Sequence, residues 1–402
     1  MVVSSRPPSA VPEVQTTGWM LPVLTGAAFV IFAQAFMIAP VLPRLADVFE
    51  VDIDLVGLAV PAYLIPYGIM TLLWGPLADR VGARPVVLGS LALFVAFTAA
   101  TATAPSGRTF VLWRAATGAG ASGVIPISLA LIGDLIPYRQ RGRAIGWLFG
   151  GMAGGMAVGS TVGALAEPTV GWRGLFVAAA IAGAVLLGGA ATHVPKTPRP
   201  ADAAPLGAIV GRYRDLLGNS RARRTYAYVA FNAVVHSGVY TWLGLYLQER
   251  FDLGPVGIGL ALMGYGIPGF LLGPVIGRVA DRHGRSRLVP AGVAFAACAT
   301  FGLALPVPLV AAVLLVTLLS LGYDLTQPLL AGIVTDLSAH RGQAIAFMAV
   351  ALFSGFGAGS LLFQAALTQG FTVALSVFGV VTLLAAALAV PTFADERPAG
   401  SA

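Results

Sequence analysis

Trp74–Arg84 reads WGPLADRVGAR, and Ile276–Ser286 reads IGRVADRHGRS. The two stretches stand 202 residues apart and place Gly75, Asp79, Arg80 and Gly82 on Gly277, Asp281, Arg282 and Gly284. The same offset carries Phe49 to Phe251, Gly57 to Gly259 and Asp134 to Asp336. Past those acids the second copy runs two residues shorter, so that Arg141 and Gly142 meet Arg341 and Gly342, and Gly159 and Ser160 meet Gly359 and Ser360. Self-similarity over so long a range constrains the whole architecture rather than one site. It predicts two like-folded halves, residues 1–194 and 225–402, joined by a segment at 195–224.

Working outward from the repeat, the composition places both halves in lipid. Hydrophobic residues make up 57% of the chain and charged residues only 10%, against about 25% charged in an ordinary soluble domain. A helix needs about 20 mainly apolar residues to cross a bilayer, and the hydropathy pattern supplies twelve such runs, six in each half. The formal charge of +7 raises nucleic acid as a partner, but its distribution answers the question. With the N-terminus inside, 19 of the 24 Lys and Arg residues fall on cytoplasmic loops, while Asp47, Glu50, Asp52, Asp54, Glu167, Glu249 and Asp252 fall outside. That is the positive-inside rule, so the basic balance reports topology and not nucleic acid. The expected location is the cell (inner) membrane, multi-pass, with both termini cytoplasmic. The first apolar run lacks a charged opening and a small-residue cleavage site and reads as a retained span.

Segment 195–224 opens PKTPRPADAAP and reads as a solvated cytoplasmic linker, within which LGAIVGRYRDLLG can form an interfacial helix on membrane lipid. The single cysteine, Cys298, excludes an internal disulfide and a cysteine metal cluster, and reads as a small buried apolar residue. No metal-ligand or nucleophile arrangement emerges, so neither cofactor nor metal is expected and the chain does not read as an enzyme.

GPLADRVGAR, occurring twice, resembles the loop signature of the major facilitator superfamily. The resemblance implies an all-α integral membrane protein with twelve transmembrane helices in two pseudo-symmetric six-helix halves. Asp79 ends its own helix, at the negative pole of the dipole, and should seek the positive end of another. By the resemblance that end is the start of the eleventh span near Gly342, with Gly75 letting the backbones approach, and Asp281 should face the fifth span near Arg143. Arg80 and Arg84 are expected to pair with Asp134, and Arg282 with Asp336. Together Gly75, Asp79, Arg80, Gly82, Arg84, Asp134, Gly277, Asp281, Arg282, Gly284 and Asp336 form the expected cytoplasmic gate, locked when that side is shut and broken when it opens.

The fourth span carries Arg114, Gly118 and Gly120, a second resemblance to the family. An arginine in lipid is costly unless solvated or paired, which leaves two readings for Arg114: a cavity group near the proton path, or a side chain snorkelling to the outer surface. In the fifth span, GWLFGGMAGGMAVGSTVGA resembles the glycine-rich motif of the drug:proton antiporter type, departing from it at Ser160 and Ala164 where that motif has Pro and Gly. Its glycines at 151, 155, 159 and 163 lay a smooth stripe on one helix face, suited to close packing. GWRGLF at 171–176 resembles the family's start of the sixth span.

Ionisable residues at the bilayer centre are functional candidates by default. Asp324, in GYDLTQP of the tenth span, and His236, in NAVVHSGVY of the seventh, stand deepest. The 202-residue offset relates them to Ser122 and Gln34, so the four positions lie on spans one, four, seven and ten, which line the cavity in the superfamily. Asp324 is expected to carry the coupling proton, and His236 to be its partner, a substrate ligand, or a cap on a carbonyl. Burial and pairing act in opposite senses on each group, so either can titrate near physiological pH. Proton coupling thus rests on Asp324, His236 and Arg114, and the substrate cavity on Gln34, Ser122, Asn232, Tyr240, Tyr323 and Gln327, aromatic and amide groups that suit a partly apolar ligand. The expected function is proton-coupled export of small amphiphilic compounds by a monomer. The competing readings are an importer or facilitator of a polar metabolite, and a non-transporting membrane sensor.

Overall fold

The structure, a computed structural model, describes residues 18–196, 211, 214–265, 268, 279, 284–337 and 341–396. Every regular element among them is helical, and nine described helices are apolar and long enough to cross a membrane. The first span runs Met20–Phe36 and continues, past a short turn at Ala39–Val41, as Leu42–Phe49; the second is Ile53–Gly57 with Ala59–Val81, the third Ala83–Ala102, and the fourth Gly107–Ala121 with Val124–Leu135. The fifth and sixth form one run, Tyr138–His193, broken at Gly171. The seventh is Ser220–Phe251, the eighth begins as Pro255–Leu262, and the last four are Arg285–Ala304, Leu309–Asp336, Arg341–Leu367 and Phe371–Thr392.

The repeat is written into the backbone as well as the side chains. Six described residues have positive φ, and they fall into three pairs, one member in each half: Glu50 and Asp252 (52° and 53°), Gly82 and Gly284 (95° and 78°), and Gly171 and Gly370 (70° and 88°). Gly82 and Gly284 are the second glycines of the doubled motif. Gly82 closes the second span directly onto the third and Gly284 opens the ninth, each with a positive φ open to glycine because it has no Cβ to collide. The motif therefore has a backbone reason for its glycine before any role in gating.

The glycine stripe of the fifth span packs as expected. Gly151, Gly155, Gly159 and Gly163 sit against the backbone at Thr25, Phe29, Ala33 and Met37 of the first span, with no room for a Cβ at any of the four. Both numbers rise together by four, so the two spans run parallel in a small-xxx-small contact. The second half repeats this with Gly355 on Ala230 and Gly359 on Val234.

Between the halves the described contacts lie at the middle and outer levels. At the outer end the Gln364 amide donates to the Asp54 carbonyl (2.9 Å) and carboxylate (3.0 Å), the Trp242 indole covers Gly57, and Gly244 abuts Pro40. At mid-depth Tyr67 meets Phe353, ring centroids 4.5 Å apart. At the far end of the second span Gly75 has open space where a Cβ would stand, and Asp79 and Arg80 are exposed. Gly342, near which Asp79 is expected to dock, lies outside the residues whose surroundings are described.

Arg84 donates to the Ala191 carbonyl, and neither it nor Arg80 forms an ion pair with exposed Asp134 among the described residues. Asp336 is bound by Arg285 at 2.8 Å, an arginine at the start of the ninth span within direct reach of the tenth span's end. Gly277, Asp281, Arg282 and most of 206–218 lie outside the described residues. Cys298 is exposed rather than buried, because lipid is as apolar as the interior and hydrophobicity alone does not choose between them. Below the second half, Glu396 accepts from Arg221 at 2.7 and 2.8 Å and from Arg224 at 3.3 Å, while its carbonyl accepts from Ser286 N. That one residue ties together the N-terminal starts of spans seven and nine and the chain beyond span twelve.

Candidate functional site

The polar residues read from the sequence separate into three groups. Arg114 does not snorkel. It is fully buried, its guanidinium stacked 4.4 Å over the Tyr63 ring. Nε donates to the Ala59 carbonyl (3.2 Å), one terminal nitrogen to the Gln34 carbonyl (3.3 Å) and side-chain oxygen (2.9 Å), and the other to the Ala35 carbonyl (2.9 Å). The first span breaks just beyond, before Pro40, which brings no N–H, and a helix end leaves carbonyls without intrahelical partners. Arg114 supplies donors at that end and closes the corner where spans one, two and four meet. Among the described residues no carboxylate pairs with it. The Gln34 side-chain oxygen is thereby taken by Arg114, while its amide nitrogen is buried without a partner.

Ser122 is likewise spent inside the N-terminal half, accepting from the Trp74 indole at 2.8 Å and donating to the Ala119 carbonyl at 2.9 Å. The sequence placed both residues in the substrate cavity; the contacts they make are internal to one half.

The third group gathers in the other half. His236 lies between Tyr323 (centroids 4.0 Å, 23°) and Tyr265 (4.8 Å, 35°), and Tyr265 in turn lies against Tyr240 (3.9 Å, 33°). Phe356 closes one side, 6.1 Å from His236 and 5.9 Å from Tyr323, and Phe36 of the opposite half reaches Tyr240 at 6.1 Å. One turn toward the cytoplasm, the Asn232 amide donates to Thr326 Oγ1 (2.6 Å) and Gln327 Oε1 (3.5 Å), joining spans seven and ten. His236, Tyr240, Tyr323, Asn232 and Gln327 thus come together as the sequence predicted.

His236 and Asp324 are not hydrogen-bonded to each other. The imidazole nitrogens have no partner, and Asp324, next to the Tyr323 that His236 stacks on, receives Ser320 Oγ at 3.2 Å. The same Ser320 hydroxyl also points at the carbonyl of Tyr265, the last residue of the 3-10 turn Met263–Tyr265 that follows the helical start of the eighth span. A single hydroxyl hydrogen therefore stands between a carboxylate and the backbone that carries an aromatic ring of the cluster.

Tyr265 and Ser320 were not among the residues read from the sequence. Tyr265 had a signal: YLIP at 63–66 and YGIP at 265–268 fall on one another at the 202-residue offset. Its twin Tyr63 stacks on Arg114 in the first half as Tyr265 stacks on His236 in the second. Ser320 had none, since its partners are set by a break in another helix.

A family model for the Major Facilitator Superfamily matches residues 24–360 and again 252–402, most of the chain. The chain belongs to the major facilitator superfamily. As such it is a multi-pass membrane transporter and not an enzyme. Among curated relatives it is 28% identical over 336 residues to the uncharacterized MFS-type transporter YwfA of Bacillus subtilis, covering 82% of this chain and 80% of that one. It is 34% identical to the multidrug transporter QDR2 of Candida glabrata over 160 residues, 40% of this chain and 27% of that one. Solved structures share the fold: a D-xylose-proton symporter (TM-score 0.77, 19% identity, 92% and 96% covered) and a bacterial homolog of the human lysosomal transporter Spinster in an inward-facing and unoccupied conformation (0.73, 17%, 96% and 99%).

Proposed function

We propose that this superfamily transporter exports small amphiphilic compounds in exchange for protons. It acts as a monomer in the inner membrane with both termini cytoplasmic, its halves 1–194 and 225–402 rocking about the midplane and joined by the linker 195–224. The observation that carries this reading is the Asp324–Ser320–Tyr265 contact. Protonated Asp324 can donate to Ser320 Oγ, leaving the serine hydrogen to the Tyr265 carbonyl; ionised Asp324 takes that hydrogen for itself and leaves the carbonyl of the broken eighth span without it. The charge on one carboxyl is thereby linked to the position of a cluster ring, the differential contact a coupled transporter needs between its two states.

Support for export comes from the glycine stripe against the first span and from similarity to a multidrug transporter over part of the chain. Arg114 fits a different role from the one expected: it holds the corner of spans one, two and four that must move as one body. The importer reading draws only on fold likeness to a sugar symporter, and the sensor reading on no particular residue. The test is retention of a dye panel in an efflux-deficient bacterium, with and without a protonophore. Export predicts lower retention than in vector controls only while the gradient stands; higher retention than in controls would overturn it in favour of import.

A further inference from the structure

The rings form a bent cluster. From Tyr323 through His236 and Tyr265 to Tyr240, successive rings lie within 35° of parallel at 4.0, 4.8 and 3.9 Å, and His236 and Tyr240, both on span seven, stand 6.5 Å apart and within 8° of one another, so the run turns at Tyr265. Three spans contribute, seven, eight and ten, so the cluster depends on how those helices stand relative to each other. His236, Tyr240 and Tyr265 are at most 3% exposed. Yet both imidazole nitrogens and the Tyr265 hydroxyl lack a hydrogen-bond partner, while the Tyr240 hydroxyl is within reach of Ser160 in the opposite half. Polar atoms buried without partners are costly and uncommon, and here three of them belong to two neighbouring rings.

We propose that this ring cluster is the substrate seat in its self-filled form, and that it takes a flat aromatic solute with hydrogen-bonding groups on its rim and no negative charge. The proposal rests on the export reading above and names the substrate class of that same site. A ring slipped between two members of the stack replaces one aromatic face with another, while its rim groups reach the imidazole and the tyrosine hydroxyls. A flexible aliphatic chain offers neither. Admitting a ring roughly 3.5 Å thick means that one stacked pair must part by about that distance, and the 3-10 turn carrying Tyr265 is the local break that lets it swing. An anion finds no complement: the Arg114 guanidinium is engaged by Gln34, Ala35 and Ala59, and the carboxyl next to Tyr323 is that of Asp324.

The test is equilibrium binding to the purified full-length protein in nanodiscs, without any gradient. The probes are proflavine (flat, cationic, amino rim), coumarin (flat, neutral), pyranine (flat, anionic) and dodecyltrimethylammonium (aliphatic, cationic). Proflavine and coumarin are expected to bind. Tyr265→Leu should weaken them by about tenfold, the loss of one aromatic stack, and Tyr265→Phe, which keeps the ring, by less. Dodecyltrimethylammonium and pyranine should bind weakly and be indifferent to Tyr265→Leu. Tyr240→Leu serves as a second variant if Tyr265→Leu does not fold. Failure of both flat probes to bind, or equal binding of the aliphatic or anionic probe, overturns the proposal. Because binding is read without transport, a protein that binds flat rings but does not pump them contradicts the export reading alone, and one that pumps only the aliphatic cation contradicts this proposal alone.

Discussion

Two neighbouring glycines on the fifth span separate close packing from mere glycine content. A Cβ placed on Gly159 would stand 2.5 Å from Ala33 Cα and 2.8 Å from its carbonyl carbon, both backbone atoms. Ordinary contact needs roughly 3.5 Å, so the first and fifth spans must separate by about 1 Å, a gap that forfeits a quarter to a half of the dispersion between facing atoms. Overpacking of this kind costs about 1–3 kcal/mol. On Gly154 the same Cβ would meet only the Phe29 ring edge at 3.6 Å, ordinary contact, and Ala in place of Gly gains up to about 1 kcal/mol of helix propensity. Gly159→Ala should therefore lose about 2 kcal/mol and Gly154→Ala gain slightly, a spread of about 3 kcal/mol, or roughly a hundredfold in the folding equilibrium. Unfolding of each purified variant in mixed micelles by a denaturing detergent reads this directly. Equal effects at the two positions, or a neutral Gly159→Ala, would refute the packing argument.

Two further perturbations follow. Arg114→Lys keeps the charge but cannot span the Ala59, Gln34 and Ala35 acceptors, which a fixed guanidinium fork reaches together; unfolding should show a loss of about 2–3 kcal/mol from unmet acceptors, and stability equal to wild type would contradict the staple. Glu396, below the membrane, is held under the usual carboxylate range first by the hydrogen bond from Arg221. A depressed folded-state pKa stabilises above the unfolded value and is lost as pH falls through the folded one, so the destabilisation caused by Glu396→Gln should be full at neutral pH and vanish in strong acid; a difference that does not change with pH would contradict it.

Much of this molecule was legible before any coordinates. The doubled motif announced the repeat, and hydropathy set the spans; Gly82 and Gly284 proved to be positive-φ positions at the starts of the third and ninth spans. The stripe at 151, 155, 159 and 163 packed as its spacing said, and His236, Tyr240 and Tyr323 met as expected. What stayed hidden shares a physical cause: partners that are backbone rather than side chain. Arg114 and Arg84 bind carbonyls, which leave no residue-type signature. Cys298 lay on the wrong face because in lipid both faces are apolar.

The central claim is that Asp324 links proton movement to solute movement. Wild type and Asp324→Asn would be reconstituted at equal density into liposomes with an imposed pH gradient, and proflavine movement and internal pH followed together. The account predicts that wild type moves the dye against its concentration while discharging the gradient, and that the variant still binds the dye but neither concentrates it nor passes protons. Gradient-driven dye transport by Asp324→Asn at the wild-type rate would contradict it.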